Sequence, residues 1–190
     1  MPTSINYKNS SKNKKQSNLV LFVEESFKTL ALNKYIKKSE YLFINDLIKT
    51  KDFKKKILTF ELSSKRNIVL VLHKRDLNPS EIENLGAKFY ETFKNNKQNY
   101  FTINSDTLPF KTKNLIGHFL HGLKLKSYKF DKYKTKKDNK DLLIDVVGKN
   151  KPSVNDQKKF KAIEDGTFYA RDLVSEPGNI LYPKEYATRI

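Results

Sequence analysis

Residues 56–93 read KILTFELSSKRNIVLVLHKRDLNPSEIENLGAKFYETF, and this stretch decides the fold class. Two apolar runs, 56–62 and 67–73, are separated by Ser63-Ser64-Lys65-Arg66, the pattern of two neighbouring strands joined by a short turn. Pro79 then suits the first position of a helix, with Asn78 as its cap. Ile82, Leu85, Phe89 and Phe93 fall on one face of that helix, so it has a stripe to bury. Two strands followed by an amphipathic helix are the unit from which the rest of the chain extends.

Upstream, residues 18–23 (Asn-Leu-Val-Leu-Phe-Val) read as a buried strand and 41–44 (Tyr-Leu-Phe-Ile) as a short one. Downstream, 99–103 reads as a strand and 112–126 as a second amphipathic helix with Leu115, Ile116, Phe119, Leu123 and Leu125 apolar; 141–147 reads as a last strand. Strands alternating with helices of this length predict an α/β fold, a mixed sheet flanked by helices. No internal repeat is present.

The remaining segments differ in character. Residues 1–18 hold four lysines and no acid, which predicts a mobile basic tail. The α/β domain is expected over 19–150. A polar Gly-Lys-Asn-Lys-Pro stretch at 148–152 marks the next boundary, and from Ala162 onward the balance turns to three basic and five acidic residues. In 151–190, Ser153-Val-Asn-Asp156 resembles a capping box with Asp in place of Glu. A helix should run from there to about Ser175, burying Phe160, Ile163, Ala170 and Val174, and end before Pro177. Pro183 opens another helix too short to be stable alone, so its partners are expected further along a longer chain.

Composition excludes several classes. With no cysteine there is no disulfide and no thiolate metal site, consistent with a cytoplasmic protein. No run of about 18 apolar residues offers a membrane span, and the first residues lack the apolar stretch of a secretory signal. The formal charge of +17 invites a nucleic-acid partner. Only Arg66, Arg75, Arg171 and Arg189 are arginines among 38 basic residues, however, and arginine is the usual reader of base edges and phosphates. A lysine- and asparagine-rich composition also follows from AT-rich coding with no partner at all.

Two segments resemble the leucyl aminopeptidase (cytosol aminopeptidase) family. Gly122-Leu-Lys-Leu-Lys-Ser-Tyr-Lys-Phe-Asp-Lys-Tyr-Lys-Thr135 is similar to the segment that closes the family's N-terminal domain. Ala170-Arg-Asp-Leu-Val-Ser-Glu-Pro-Gly-Asn179, followed by Pro183 and Ala187, is similar to the passage linking that domain to the catalytic one, with Ser175 where the family more often has asparagine. The resemblance implies a macro-domain-like N-terminal domain over 19–150, then a linking helix and the truncated start of a catalytic domain over 151–190. It also implies a full-length cytoplasmic hexamer that removes N-terminal residues from peptides with two divalent metal ions (manganese, zinc or magnesium). The family's Asn-Thr-Asp-Ala-Glu-Gly-Arg signature, around which its ligands gather, does not occur here, so no catalytic, cofactor-binding or metal residue is assigned. The expected partner of this portion is its own catalytic domain, and its expected role assembly or regulation, without peptidase activity alone.

Other constellations carry weaker chemistry. His118 and His121 share a helix face at a spacing that metals use, but no third ligand supports them. Tyr128, Phe130 and Tyr133 interleave with eight lysines in 124–140, a pattern that stacks bases or, at a domain corner, simply packs. Arg171 and Asp172 read as a structural ion pair. A macro-like fold raises ADP-ribose, yet the six glycines never cluster into a loop that lets amides approach a diphosphate. Two alternatives to the aminopeptidase reading therefore stand: a free-standing basic nucleic-acid-binding domain, and a structural oligomerisation module.

Overall fold

A computed structural model describes residues 3–9, 18–26, 29–50, 55–64, 66–76, 78–108, 114–135 and 142–190. Its strands are β1 (Thr3–Tyr7), β2 (Asn18–Glu24), β3 (Ile57–Ser63), β4 (Arg66–His73), β5 (Tyr100–Asn104) and β6 (Leu142–Val147). The helices are α1 (Lys38–Thr50), α2 (Pro79–Phe93), α3 (Leu115–Lys126), α4 (Val154–Ser175) and α5 (Pro183–Arg189), with 3₁₀ turns at Thr29–Lys34 and Ser105–Thr107. One sheet holds the strands in the order β1-β6-β5-β2-β4-β3, parallel throughout except for the antiparallel β3–β4 pair. β2 and β4 lie inside it and are apolar on both faces, which is why they read as continuous runs rather than as alternation.

One face carries α2 and α3, packed over Val20, Phe22, Phe101, Ile103, Ile144 and Val146. Phe22, Phe89, Phe93, Phe101 and Phe119 meet there, with ring centroids 4.7 to 5.7 Å apart. The two helices touch backbone to backbone. A Cβ at Gly86 would strike the Phe119 carbonyl, and one at Gly122 the Glu83 backbone. The other face carries α1 together with Leu32 and Ile36, closing over Leu21, Ile68 and Leu70.

The Asn78 cap of α2 is present in full: its side chain accepts from the Glu81 N–H at 2.8 Å, and the Asn78 N–H donates back to Glu81. The strand expected at 41–44 is instead part of α1. Tyr41, Ile44, Leu47 and Ile48 recur at helical spacing and face the core, while Leu42 and Phe43 project outward. A four-residue apolar run cannot separate a strand from one turn of a buried helix. Glu40 then fixes the start of α1 by accepting the Lys37 N–H at 3.0 Å and binding Arg66 through two nitrogens at 2.8 and 3.2 Å.

The mobile tail expected over 1–18 needs a second correction. Thr3–Tyr7 form edge strand β1, paired along β6 from Thr3↔Leu142 to Tyr7↔Val146. Ser4 and Asn6 are exposed and Thr3, Ile5 and Tyr7 face inward, an alternation hidden by the polar composition. The Lys8 ammonium reaches Asp145 of β6 at 2.5 Å, and Lys124 of α3 donates to the Thr3 carbonyl. Most of the remaining tail, 10–17, lies outside the described residues, as do Thr112 and Asp141, the expected first residues of α3 and β6.

Candidate functional site

The segments that carry the family resemblance, 122–135 and 170–179, meet in space along α4. Ser153 caps this helix, accepting the Asp156 N–H at 3.1 Å and donating its hydroxyl to Asp156 Oδ2 at 2.7 Å. Aspartate stands where a capping box more often has glutamate, and its carboxylate accepts the Ser153 hydroxyl. Glu176, extended at ψ 136 before Pro177, ends the helix as the proline requires.

α4 lies on α3 through a narrow stripe. Phe160 wedges between His118 and His121, with ring centroids 5.1 and 5.2 Å away, over Gly117. His121 Nδ1 lies 3.0 Å from Glu164 and His118 Nδ1 2.7 Å from Glu83. Burial, and then the Glu164 carboxylate, push the Tyr7 phenol up to about 12. Phe168 stacks on Tyr128 at 5.5 Å, and the Arg171 guanidinium covers the same tyrosine at 5.4 Å while donating to the Leu125 carbonyl at 2.7 Å.

A clasp follows at the helix end. Tyr128 donates its hydroxyl to Asp172 at 2.7 Å. Glu176, with its side chain only 3% exposed, receives Lys132 at 2.5 Å, Arg189 of α5 at 3.3 Å, and the Tyr133 hydroxyl. Hydrogen bonds from Lys132 and Tyr133 hold the Glu176 carboxyl below the usual carboxylate range. The clasp borders a cavity of about 440 Å³ lined by Phe130, Lys132, Tyr169, Leu173, Glu176 and Arg189, among others.

The side chains singled out in the sequence can be placed except in 136–140, which lie outside the described residues. The two histidines face separate carboxylates and one aromatic ring rather than a common point. Among the described residues no group of three His, Asp or Glu side chains could hold a metal ion, so those residues do not fit a two-metal centre. Tyr128 and Tyr133 are engaged by α4, and Phe130 packs against Tyr133 at 5.8 Å. Arg171 and Asp172 are structural but not a pair: the first takes Leu125 and the second Tyr128.

The burial expected along α4 is largely wrong. Ile163 is 46% exposed, Val174 87% exposed and Ala170 exposed; Phe160 is half-buried, and the buried anchor is Phe168. Phe160, Glu164, Phe168 and Arg171 are spaced 4, 4 and 3 apart, so the correct stripe also obeys helical spacing. Phe160 is common to the expected stripe and this one; the continuation through Phe168 is hidden because Glu164 and Arg171, its neighbours on that face, are charged. Glu176 gave only its place before a proline as a signal.

No protein-family model matches the chain. A probable cytosol aminopeptidase of Wolbachia pipientis wMel is 31% identical over 137 residues, covering 68% of this chain and 26% of that protein. One from Methylorubrum populi is 39% identical over 83 residues, covering 40% and 16%. The chain belongs to the leucyl aminopeptidase family. These matches span about a quarter or less of the relatives' length. A tomato leucine aminopeptidase mutant, K354E, superimposes with TM-score 0.73 at 18% identity over 98% of this chain and 41% of its own. The bottromycin maturation enzyme BotP in complex with Mn follows at TM-score 0.63, 13% identity, 92% of this chain and 35% of its own. At those identities the two structures speak for the fold, a mixed sheet flanked by helices.

Proposed function

We propose that this chain is a non-catalytic, N-terminal portion of a cytosol aminopeptidase, and that α4 and α5 form the arm by which it docks on the catalytic portion. The observation that carries this reading is where apolar surface stays uncovered. Among the described residues, seven of the eleven exposed large hydrophobic side chains fall within 154–190, Val174 and Ile190 the most open. Exposed apolar groups so concentrated mark an interaction surface. The relatives' names and the small share of their length that is matched support the same reading.

On this reading peptide cleavage and its divalent metals, manganese, zinc or magnesium, belong to the rest of the protein. BotP in complex with Mn is consistent with that. Residues 1–190 then serve assembly or regulation within a cytoplasmic, hexameric enzyme that trims N-terminal residues from peptides. No described helix is long and apolar enough to cross a membrane. The free-standing nucleic-acid-binding alternative draws less support, because Tyr128 is engaged by Asp172 and Phe168 of α4, the Tyr133 hydroxyl by Glu176, and Phe130 packs on Tyr133.

Reading the coding DNA beyond the Ile190 codon tests the proposal. An open frame continuing into the Asn-Thr-Asp-Ala-Glu-Gly-Arg signature is the expected result. An immediate stop codon overturns it.

A further inference from the structure

In open sheets of parallel strands, ligands bind outside the carboxyl ends, in the crevice where the chain leaves two neighbouring strands in opposite directions. Here that point lies between β2, whose chain continues toward β4, and β5, whose chain continues toward β6. The two strands pair only as far as Val20↔Ile103. The 3₁₀ turn Ser105–Thr107 then crosses the gap.

Every member of that turn is tied to a neighbouring strand or loop through a polar group. Thr107 Oγ1 accepts the Phe22 N–H of β2 at 2.9 Å, and the Ser105 hydroxyl donates to the Val147 carbonyl at the end of β6, also at 2.9 Å. The Tyr35 hydroxyl donates to the Asp106 carbonyl at 3.4 Å. The Asp106 carboxylate accepts the Lys149 N–H at 2.6 Å and the Asn150 N–H at 3.4 Å, both on the same oxygen. Two successive backbone N–H groups converging on one oxygen form a concave anion receptor.

Gly148 makes the approach possible. Its φ is +107°, and a Cβ there would stand 2.5 Å from Ser105 Oγ and 2.9 Å from Asp106 Cγ. Ser105 is fully buried and Leu108 enters the core, so the turn is anchored from below.

We propose that the turn Ser105–Thr107 is a built-in occupant of this crevice, with the Asp106 carboxylate seated where the oxygen of a phosphate or carboxylate ligand would bind. The loop after β6 is thus an oxyanion site closed by the chain's own side chain. This holds whether or not the chain is part of an aminopeptidase.

The test is a titration of the 190-residue chain with inorganic phosphate, followed by backbone amide NMR at constant ionic strength. Site-resolved shifts are needed because a chain of charge +17 attracts phosphate all over its surface. In the wild type the Lys149 and Asn150 amides should stay put. In Asp106→Ala, and in Asp106→Ser, which keeps a small acceptor if the alanine variant folds poorly, both amides should move saturably. At about 20 mM phosphate their shifts should be at least about fivefold those of the wild type. Wild-type amides that respond as strongly as the variants' overturn the proposal. So does a folded variant whose amides at 149 and 150 gain nothing.

Discussion

Asp145 and Gly122 are the residues on which local chemistry bears most directly. Burial alone would raise the Asp145 carboxyl, but hydrogen bonds from Lys8 and Tyr100 hold it below its ordinary value of 3.8. A depressed carboxyl stabilises the fold above its unfolded pKa, and that stabilisation is lost as pH falls through the folded one. Asp145→Asn should therefore cost about 2 kcal/mol near neutrality. Its difference from wild type should shrink below about pH 4, as urea midpoints measured across that range would show; a difference that stays constant counts against the linkage. At Gly122 the backbone of α2 occupies the space a methyl group needs. Gly122→Ala should cost about 3 kcal/mol, because the obstacle is a carbonyl and its carbons rather than a side chain that can turn aside. An unchanged denaturation midpoint would show that the two helices can separate freely.

At the scale of elements, α4 is the informative case. The expected and the observed stripe both satisfy helical periodicity and share Phe160, and only packing on α3 and Tyr128 selects Phe168 over Ile163, Ala170 and Val174. Phe168→Ala should cost about 3 kcal/mol and raise amide hydrogen exchange along α4 while β2 and β4 stay protected. Val174→Ala, at an 87% exposed position, should change stability by no more than about 0.5 kcal/mol in this chain. Equal effects of the two would mean that α4 packs through its other face. Elements with unambiguous chemistry were legible from their residues alone: Asn78-Pro79 opened α2, and Pro177 closed α4. α1 was not, because its four-residue apolar run fits a strand equally well. β1 was missed because Thr3, Ser4 and Asn6 look like tail until β6 lies beside them.

For the whole molecule, the proposed role predicts that the purified chain with added manganese or zinc ions will not hydrolyse leucine p-nitroanilide above the metal-only rate. Activity that co-elutes with the chain on gel filtration would refute it. The sequence by itself determined the α/β class, most strand positions, the capping of α2 and the resemblance to leucyl aminopeptidases, since each rests on residues close in sequence or on contiguous motifs. Tertiary structure alone decided which face of α4 is buried and that residues 3–7 complete the sheet. It also brought Glu176 to Lys132, Tyr133 and Arg189, and Asp106 to the amides after β6. The reason is physical: periodicity reports that a face can be buried, whereas its partner and the pairing of polar groups distant in sequence depend on where the chain returns, which no local pattern encodes.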